Sequence, residues 1–211
     1  MTKTPKIPYP TIERLALYSR PLETLAGSDT VLISSEKLAE LCGVSSAQVR
    51  KDLAYFGEFG VRGVGYDVRH LLSQIKKILS TDREWTLCIV GIGNLGSALV
   101  ENENFKKRGY RFVAAFDSDP KKIGKKLPCG LTVESANKIR EVVRELRIDI
   151  GVITTPRTTA QRVADLLKDA GVKAILNFAP TQVRSTQRCP VENADFTVNL
   201  EHLAYHLGKD L

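Results

Sequence analysis

Apolar positions change period along this chain, and the changes mark out its elements. From Thr11 to Ala26 they recur at helical spacing, at Ile12, Leu15, Ala16, Leu22 and Leu25. Pro21 within that run predicts a kinked or divided helix. Ser34-Ser35 predicts a cap for a short helix from Glu36 to Cys42, which Gly43 ends. Ser45 with Gln48 three residues on is a capping-box arrangement, and it opens a helix whose apolar stripe is Val49, Leu53 and Phe56. Between Gly57 and Val68 four of twelve residues are glycine and apolar positions alternate, which predicts a glycine-kinked β-hairpin. Asp67 to Leu79 reads as one more amphipathic helix, and Ser80 to Glu84 as a polar linker.

Beyond the linker strands alternate with helices. Trp85 to Val90 and Phe112 to Phe116 are apolar runs of strand length. The pattern predicts helix 94–108, strand 110–116, a loop with Asp119-Pro120 and a short helix, helix 134–147, strand 148–154, helix 157–170 and strand 172–177. Such alternation implies right-handed βαβ units on a parallel sheet. The stretch Pro180 to Pro190 reads as a loop, and Asn199 to Leu207 as a terminal helix with Leu200, Leu203, Ala204 and Leu207 on one face. The expected fold class is therefore α/β. An N-terminal winged helix-turn-helix domain (1–80) precedes a Rossmann-like doubly wound parallel sheet (81–197) and a C-terminal helix (198–211).

Composition adds bounds. The 211 residues suffice for two domains, and 43% apolar with 26% charged residues is the balance of a soluble globular protein. No apolar run approaches a membrane span, and the first residues hold no signal-peptide core, so a cytoplasmic location is expected. Cys42, Cys88, Cys129 and Cys189 stand 40 or more residues apart, which fits reduced thiols better than a zinc site. The net charge of +7 supports an anionic partner only weakly, since residues 1–80 carry 11 basic and 8 acidic side chains.

The chemistry is sharper than the charge. Gly91-Ile92-Gly93-Asn94-Leu95-Gly96 follows a strand and opens a helix, the context that separates a dinucleotide fingerprint from a chance glycine pattern. The first glycine permits the tight turn, the second lets backbone approach a pyrophosphate, and the third lets helix pack on strand. Asp117 ends the next strand 21 residues beyond Gly96, where a carboxylate accepts from a ribose diol and repels a 2′-phosphate. The expected cofactor is NAD(H) rather than NADP(H). Thr154, Thr155 and Pro156, at the end of the third strand of this domain, belong to the same candidate set.

In the first domain Ala39, Gly43 and Val49 stand at helix-turn-helix spacing, and the glycine-rich hairpin occupies the place of a wing. Ser46, Gln48, Arg50 and Lys51 are read as lying opposite the Val49/Leu53 stripe, and such side chains contact base edges and phosphates. Arg62, beside Gly63 in the hairpin, is a candidate for a minor groove or a phosphate. Double-stranded DNA is the expected macromolecular partner.

With these motifs in order the chain resembles the Rex family of redox-sensing transcriptional repressors. The resemblance is carried by Gln48-Val49-Arg50-Lys51-Asp52-Leu53, Tyr55-Phe56-Gly57 and Arg62-Gly63-Val64-Gly65-Tyr66 in the first domain. In the second it is carried by Cys88-Ile89-Val90-Gly91, Leu95-Gly96-Ser97-Ala98-Leu99, Asn177-Phe178-Ala179-Pro180 and Val191-Glu192-Asn193-Ala194-Asp195-Phe196. It implies a homodimer that binds a dyad-symmetric operator when NADH is scarce and releases it when NADH binds. It also implies a terminal helix that crosses to the partner subunit, and a pairing of Arg20 with Asp195 of the other chain. Asn177, Phe178, Ala179, Pro180 and Phe196 are then expected near the nicotinamide. The family often has tyrosine where this chain has Asn102.

Two other readings compete. An NAD-dependent dehydrogenase needs an acid–base group and a substrate domain. The histidines are His70, in the linker helix, and His202 and His206, a pair with no third ligand, and only some 30 residues follow the last expected strand. The chain is therefore read as a non-enzyme, with no catalytic residue and no metal. A coenzyme A-binding sheet shares glycine turns, and Asp117 speaks against it. Lys121-Lys122 and Lys125-Lys126 are read as a solvated loop rather than a phosphate site.

Overall fold

The computed structural model describes residues 7–61, 63–184, 186 and 188–208. They form two compact units, and the chain passes from the first to the second between Arg83 and Glu84.

The first unit contains α1 (Tyr9–Ala26), β1 (Leu32–Ile33), α2 (Ser35–Cys42), α3 (Ser46–Ala54), β2 (Gly60–Val61), β3 (Gly65–Asp67) and α4 (Val68–Ile78). Serine and aspartate side chains start its short helices: Ser34 accepts from the Lys37 amide, Ser45 from Gln48 and Asp67 from His70. Gly43 closes α2 in the left-handed region at φ 65°, where its N–H reaches back to the Glu40 carbonyl. Leu15, Tyr18, Leu22, Leu38, Val49, Leu71 and Ile75 are completely buried in a common core. The hairpin β2–β3 is antiparallel, and β1 joins its other edge at Ile33↔Tyr66. A Cβ on Gly65 would stand 2.5 Å from the Ile33 carbonyl oxygen, so this strand can approach β1 only as glycine.

Of the kinked or divided helix expected at Pro21, the divided form is excluded: Pro21 lies inside a continuous α1. Leu15, Tyr18 and Leu22 anchor both sides of it in the core. The Leu17 carbonyl, four residues before a proline that has no N–H to offer, faces the Cys42 thiol at 4.0 Å.

In the second unit come β4 (Trp85–Val90), α5 (Asn94–Glu101), α6 (Glu103–Lys107), β5 (Tyr110–Asp117), β6 (Val133–Ser135), α7 (Ile139–Glu145), β7 (Ile150–Ile153), α8 (Arg157–Ala170), β8 (Ala174–Asn177), β9 (Val191–Asn193) and α9 (Phe196–Leu207). Among the described residues the strands make one parallel six-stranded sheet in the order β6-β5-β4-β7-β8-β9. Apolar clusters cover both faces, one around Phe116, Ile153 and Leu167 and the other around Ile89, Ala115 and Val152. That explains why the central strands read as continuous apolar runs.

Two sequence expectations change here, and one strand is added. The helix expected over 94–108 breaks at Asn102, which takes an extended conformation (ψ 104°) and caps α6 by accepting from the Asn104 amide. The helix expected over 134–147 begins as β6 and a 3-10 turn before α7, because Val133–Ser135 pairs with the end of β5. The edge strand β9 follows the loop that the sequence read from Pro180 to Pro190. No helix among the described residues is long and apolar enough to cross a membrane.

Candidate functional site

Strand order reverses between β4 and β7: β5 and β6 continue on one side, β8 and β9 on the other. Loops leaving the carboxyl ends of those two strands diverge, and the crevice between them is where open α/β sheets bind ligands. Gly91 to Gly93 follow β4; Thr154, Thr155 and Pro156 follow β7. The two loops are tied together, with the Thr154 amide donating to the Val90 carbonyl at 3.0 Å and its hydroxyl to that of Gly91 at 2.6 Å.

The three glycines of the turn have different physical reasons. At Gly91, φ is +103° and a Cβ would lie 2.9 Å from the Thr154 carbonyl. At Gly96 a Cβ would collide with the Gly91 carbonyl oxygen. Those two positions let α5 and the β7 loop pack against the turn. Gly93 is neither crowded nor at positive φ, and a Cβ there would meet nothing within 4 Å. Its space is open, as backbone approach to a pyrophosphate requires.

Helix α5 begins at this turn with Asn94 and Leu95, both exposed, and α8 begins at Arg157 after Pro156. Among the described residues no side chain caps either helix, whereas α2, α3 and α4 all carry caps. Two helix N-termini at the crevice thus keep first-turn amides and the positive dipole end for an anionic ligand. The Thr155 hydroxyl is buried with no hydrogen-bond partner in the described residues. Open space at Gly93, uncapped amides and an unanswered hydroxyl fit a pyrophosphate-bearing dinucleotide.

Asp117 ends β5 beside the turn and is almost fully buried. Its Oδ2 accepts from the Ile92 amide at 2.8 Å and from the Lys122 ammonium at 3.0 Å; its Oδ1 accepts from the Asp119 amide at 2.9 Å. Burial pushes its carboxyl up, but the Asp119 and Ile92 amides and Lys122 outweigh that, and the pKa ends below the usual carboxylate value. Lys122 was read as part of a solvated loop; its ion pair with Asp117 corrects that reading. Spacing in the sequence carried no sign of the pair, because the loop must fold back from β5 to create it.

At the end of β8 Asn177 is completely buried. Its amide nitrogen donates to the Thr181 carbonyl and the Asn193 side chain, both at 2.8 Å, and its oxygen accepts from the Ala179 amide at 3.0 Å. Asn177 therefore shapes the loop through Phe178, Ala179 and Pro180 from beneath. Phe178 is half-buried and faces Phe196, with ring centroids 6.2 Å apart. Asp195 caps α9, accepting from the Thr197 amide at 3.0 Å and hydroxyl at 2.7 Å, and these bonds lower its pKa. Arg20 is an exposed residue of α1.

The helix-turn-helix surface is built around a second aspartate. Asp52 of α3 is fully buried and accepts from Arg14 Nε at 2.6 Å, Arg14 Nη2 at 2.7 Å, the Tyr18 hydroxyl at 2.7 Å, Gln48 Nε2 at 2.9 Å and the Thr11 hydroxyl at 3.1 Å. Burial again acts upward, and the Arg14, Tyr18, Gln48 and Thr11 donors bring the pKa below its ordinary value. Arg14 is raised in turn by its hydrogen bond to Asp52. This network, absent from the sequence reading, fixes α3 against α1. Its one sequence signal is a carboxylate lying within the apolar stripe Val49, Leu53, Phe56.

Gln48 therefore turns its amide inward. Arg50 lies across the α2 start, donating to the Ser35 hydroxyl at 2.7 Å and to Glu36 at 3.0 Å. Lys51 is exposed and Ser46, first in α3, is half-buried. In the hairpin Gly63 is exposed at φ +82°; Arg62, the remaining candidate, lies outside the described residues.

A winged helix-turn-helix unit joined to a nucleotide-type sheet with a glycine turn at its switch point is the build of a ligand-responsive transcription regulator. Comparison with known proteins narrows the class. A family profile described as a putative DNA-binding protein N-terminus matches residues 6–54, and one described as a CoA binding domain matches residues 82–181. The redox-sensing transcriptional repressor Rex of Syntrophobacter fumaroxidans is 55% identical over 206 residues, covering 98% of both chains. Rex 1 of Thermotoga maritima is 45% identical over 96% of both chains. Among solved structures, RSP in complex with β-NAD+ and operator DNA has a TM-score of 0.92 at 35% identity over 97% of this chain and 94% of that one. RSP in complex with β-NADH has a TM-score of 0.86 at 34% identity over 97% of this chain and 95% of that one. The chain belongs to the Rex family of redox-sensing transcriptional repressors.

Proposed function

We propose that this chain is a homodimeric repressor that binds a dyad-symmetric operator when NADH is scarce and releases it when NADH binds. The observation that carries the reading is one chain holding both a helix-turn-helix unit with a wing and a switch-point crevice fit for a dinucleotide. Relatives solved with β-NAD+ and operator DNA, and with β-NADH, support the same ligands here. In this reading residues 1–80 contact DNA, 81–197 hold the dinucleotide and 198–211 serve the dimer.

Gly91 to Gly96 and the β7 loop Thr154-Thr155-Pro156 receive the pyrophosphate, and Asp117 receives the adenosine ribose. The nicotinamide ring is the part that differs between the two cofactors, flat and cationic when oxidised, neutral when reduced. Phe178 to Pro180 and Phe196, an aromatic and apolar lining, are where a neutral ring gains most. Helix α9 supports the dimer: Phe196, Leu200, Leu203, Tyr205 and Leu207 are each at least 60% exposed. A helix this apolar is covered in solution by another surface, and the partner subunit is the one the family resemblance implies, with Arg20 pairing to its Asp195. On DNA, Lys51, Arg50 and Arg62 supply the cations and Ser46 a hydroxyl at the start of α3.

A dimer reads half-sites about 34–36 Å apart, so a modest subunit rotation moves one recognition helix out of register. NADH drives that rotation only by binding the released form more tightly, and by linkage operator DNA weakens NADH by the same factor. The chain acts as a cytoplasmic regulator and carries out no turnover. The deciding experiment is operator binding titrated with NADH and with NAD+: NADH releases the DNA and NAD+ does not. Operator affinity indifferent to NADH, or turnover of NADH with small carbonyl compounds, overturns the reading.

A further inference from the structure

The Asp117–Lys122 pair bears on which nucleotides the crevice admits. A carboxylate has roughly four lone-pair sites. Three of those on Asp117 are taken, by the Ile92 amide, the Asp119 amide and Lys122. One remains, so Asp117 alone cannot accept both hydroxyls of a ribose diol. The Lys122 ammonium has three donors, and one is spent on Asp117. Its side chain is 36% exposed against 9% for Asp117, so the lysine is the more accessible member of the pair.

Lys122 is also held in place by its backbone. The Lys122 amide donates to the Asp119 carbonyl at 2.9 Å, and the Lys122 carbonyl accepts from Lys125 at 3.1 Å. The loop is then stitched to β6 by Gly124 and Val133, whose amides donate to the Val133 and Lys125 carbonyls at 2.8 and 2.9 Å. Exposed Lys121 and Lys125 flank it in sequence.

Resting on the dinucleotide reading of this crevice, we propose that Lys122 is a specificity-determining residue for the adenosine ribose. It donates to the hydroxyl that Asp117 cannot serve, and it offsets the repulsion of Asp117 toward a phosphorylated ribose. Asp117 by itself would exclude a ribose phosphate. The pair instead grades the preference: NADH binds best, and NADPH binds measurably because its phosphate meets an ammonium before it meets the carboxylate.

The test is direct titration of the full-length protein with NADH, NADPH, 2′,5′-ADP and 3′,5′-ADP. The unmodified chain is compared with Lys122→Met, Lys122→Arg and Asp117→Ala. Lys122→Met is expected to weaken NADPH and 2′,5′-ADP about tenfold more than NADH, the size of one charge-assisted contact of about 1.4 kcal/mol. Lys122→Arg keeps the parent ratio, and Asp117→Ala narrows the preference for NADH. The 3′,5′-ADP arm separates a 2′-phosphate from the 3′-phosphate that coenzyme A carries, and affinity following Lys122 in both arms extends the role to either position. Equal losses for NADH and NADPH in Lys122→Met overturn the proposal, since Lys122 would then only support Asp117. Failure of the unmodified chain to bind NADH removes the dinucleotide reading itself, and the proposal with it.

Discussion

The molecule buries two aspartates at the hearts of its two units and answers them in opposite ways. Asp52 is surrounded by side-chain donors from α1 and α3, fully desolvated and fully satisfied. Asp117 is met mainly by backbone amides of two loops and by one lysine, with an acceptor left over. The same contrast runs through the helix starts: α2, α3 and α4 carry side-chain caps from Ser34, Ser45 and Asp67, while α5 and α8 start without one. Where polar groups are completed within the chain they hold a surface in shape. Where they are left incomplete, the proposed dinucleotide is what would complete them.

Removing Asp52 should have the largest effect. Asp52→Ala strands the Arg14 guanidinium and the Tyr18 hydroxyl, and losing one partner of a buried pair costs about 3–5 kcal/mol. The denaturant midpoint of the first unit should fall accordingly and operator binding should be lost, while NADH affinity stays close to the parent value. An unchanged midpoint would show that the network is dispensable.

Gly96→Ala and Gly93→Ala test the incomplete side. The first forces a Cβ against the Gly91 carbonyl oxygen, and overpacking of that kind costs about 1–3 kcal/mol. It should lower both the melting temperature and NADH affinity. Gly93→Ala fills space that the chain leaves open, so stability should hold while NADH affinity falls about tenfold, or about 1.4 kcal/mol. Parallel losses of stability in both variants would contradict the assignment of Gly93 to a ligand.

Both aspartates have folded-state pKa values below the ordinary carboxylate value. Their stabilisation is therefore complete above the unfolded pKa of about 3.9 and is lost as pH falls through the lower folded values. Denaturant midpoints should be flat in this respect above about pH 5 and drop below about pH 4. Asp52→Asn should make that acid decline shallower. A decline that begins near neutral pH would point to other groups.

The smallest change expected is at Arg50. Glu36→Gln releases an exposed ion pair, and such pairs contribute little to stability. The melting temperature should not move, and affinity for non-operator DNA should rise slightly as Arg50 loses its competing anion. A fall in DNA affinity would mean that Glu36 orients Arg50 for binding.

Much of the molecule was legible before its structure. The glycine turn, the acidic residue that ends β5, the Ser34 and Ser45 caps and the glycine hairpin are local signals, each set by residues within a few positions of one another. Three local conformations share a cause. Pro21 stays inside α1 because buried neighbours hold both flanks, and 133–135 is a strand because β5 offers an edge to pair with. Asn102 breaks the helix after the turn by capping the next one, a role its side chain allows without demanding it. In each case a partner elsewhere decided between conformations that the local sequence permitted.

The candidate sites divide along the same line. By itself the sequence determined the parallel α/β unit, the position of the glycine turn and the helix-turn-helix, because hydrophobic period, capping chemistry and glycine placement act over short range. The tertiary structure decided what each polar side chain faces. It sent Gln48 to Asp52, set Lys122 on Asp117, and left Gly93 open while closing Gly91 and Gly96. Those outcomes depend on desolvation and on donors brought from distant segments, and the free energy of a buried charge is fixed by its surroundings in space rather than by its neighbours in the chain.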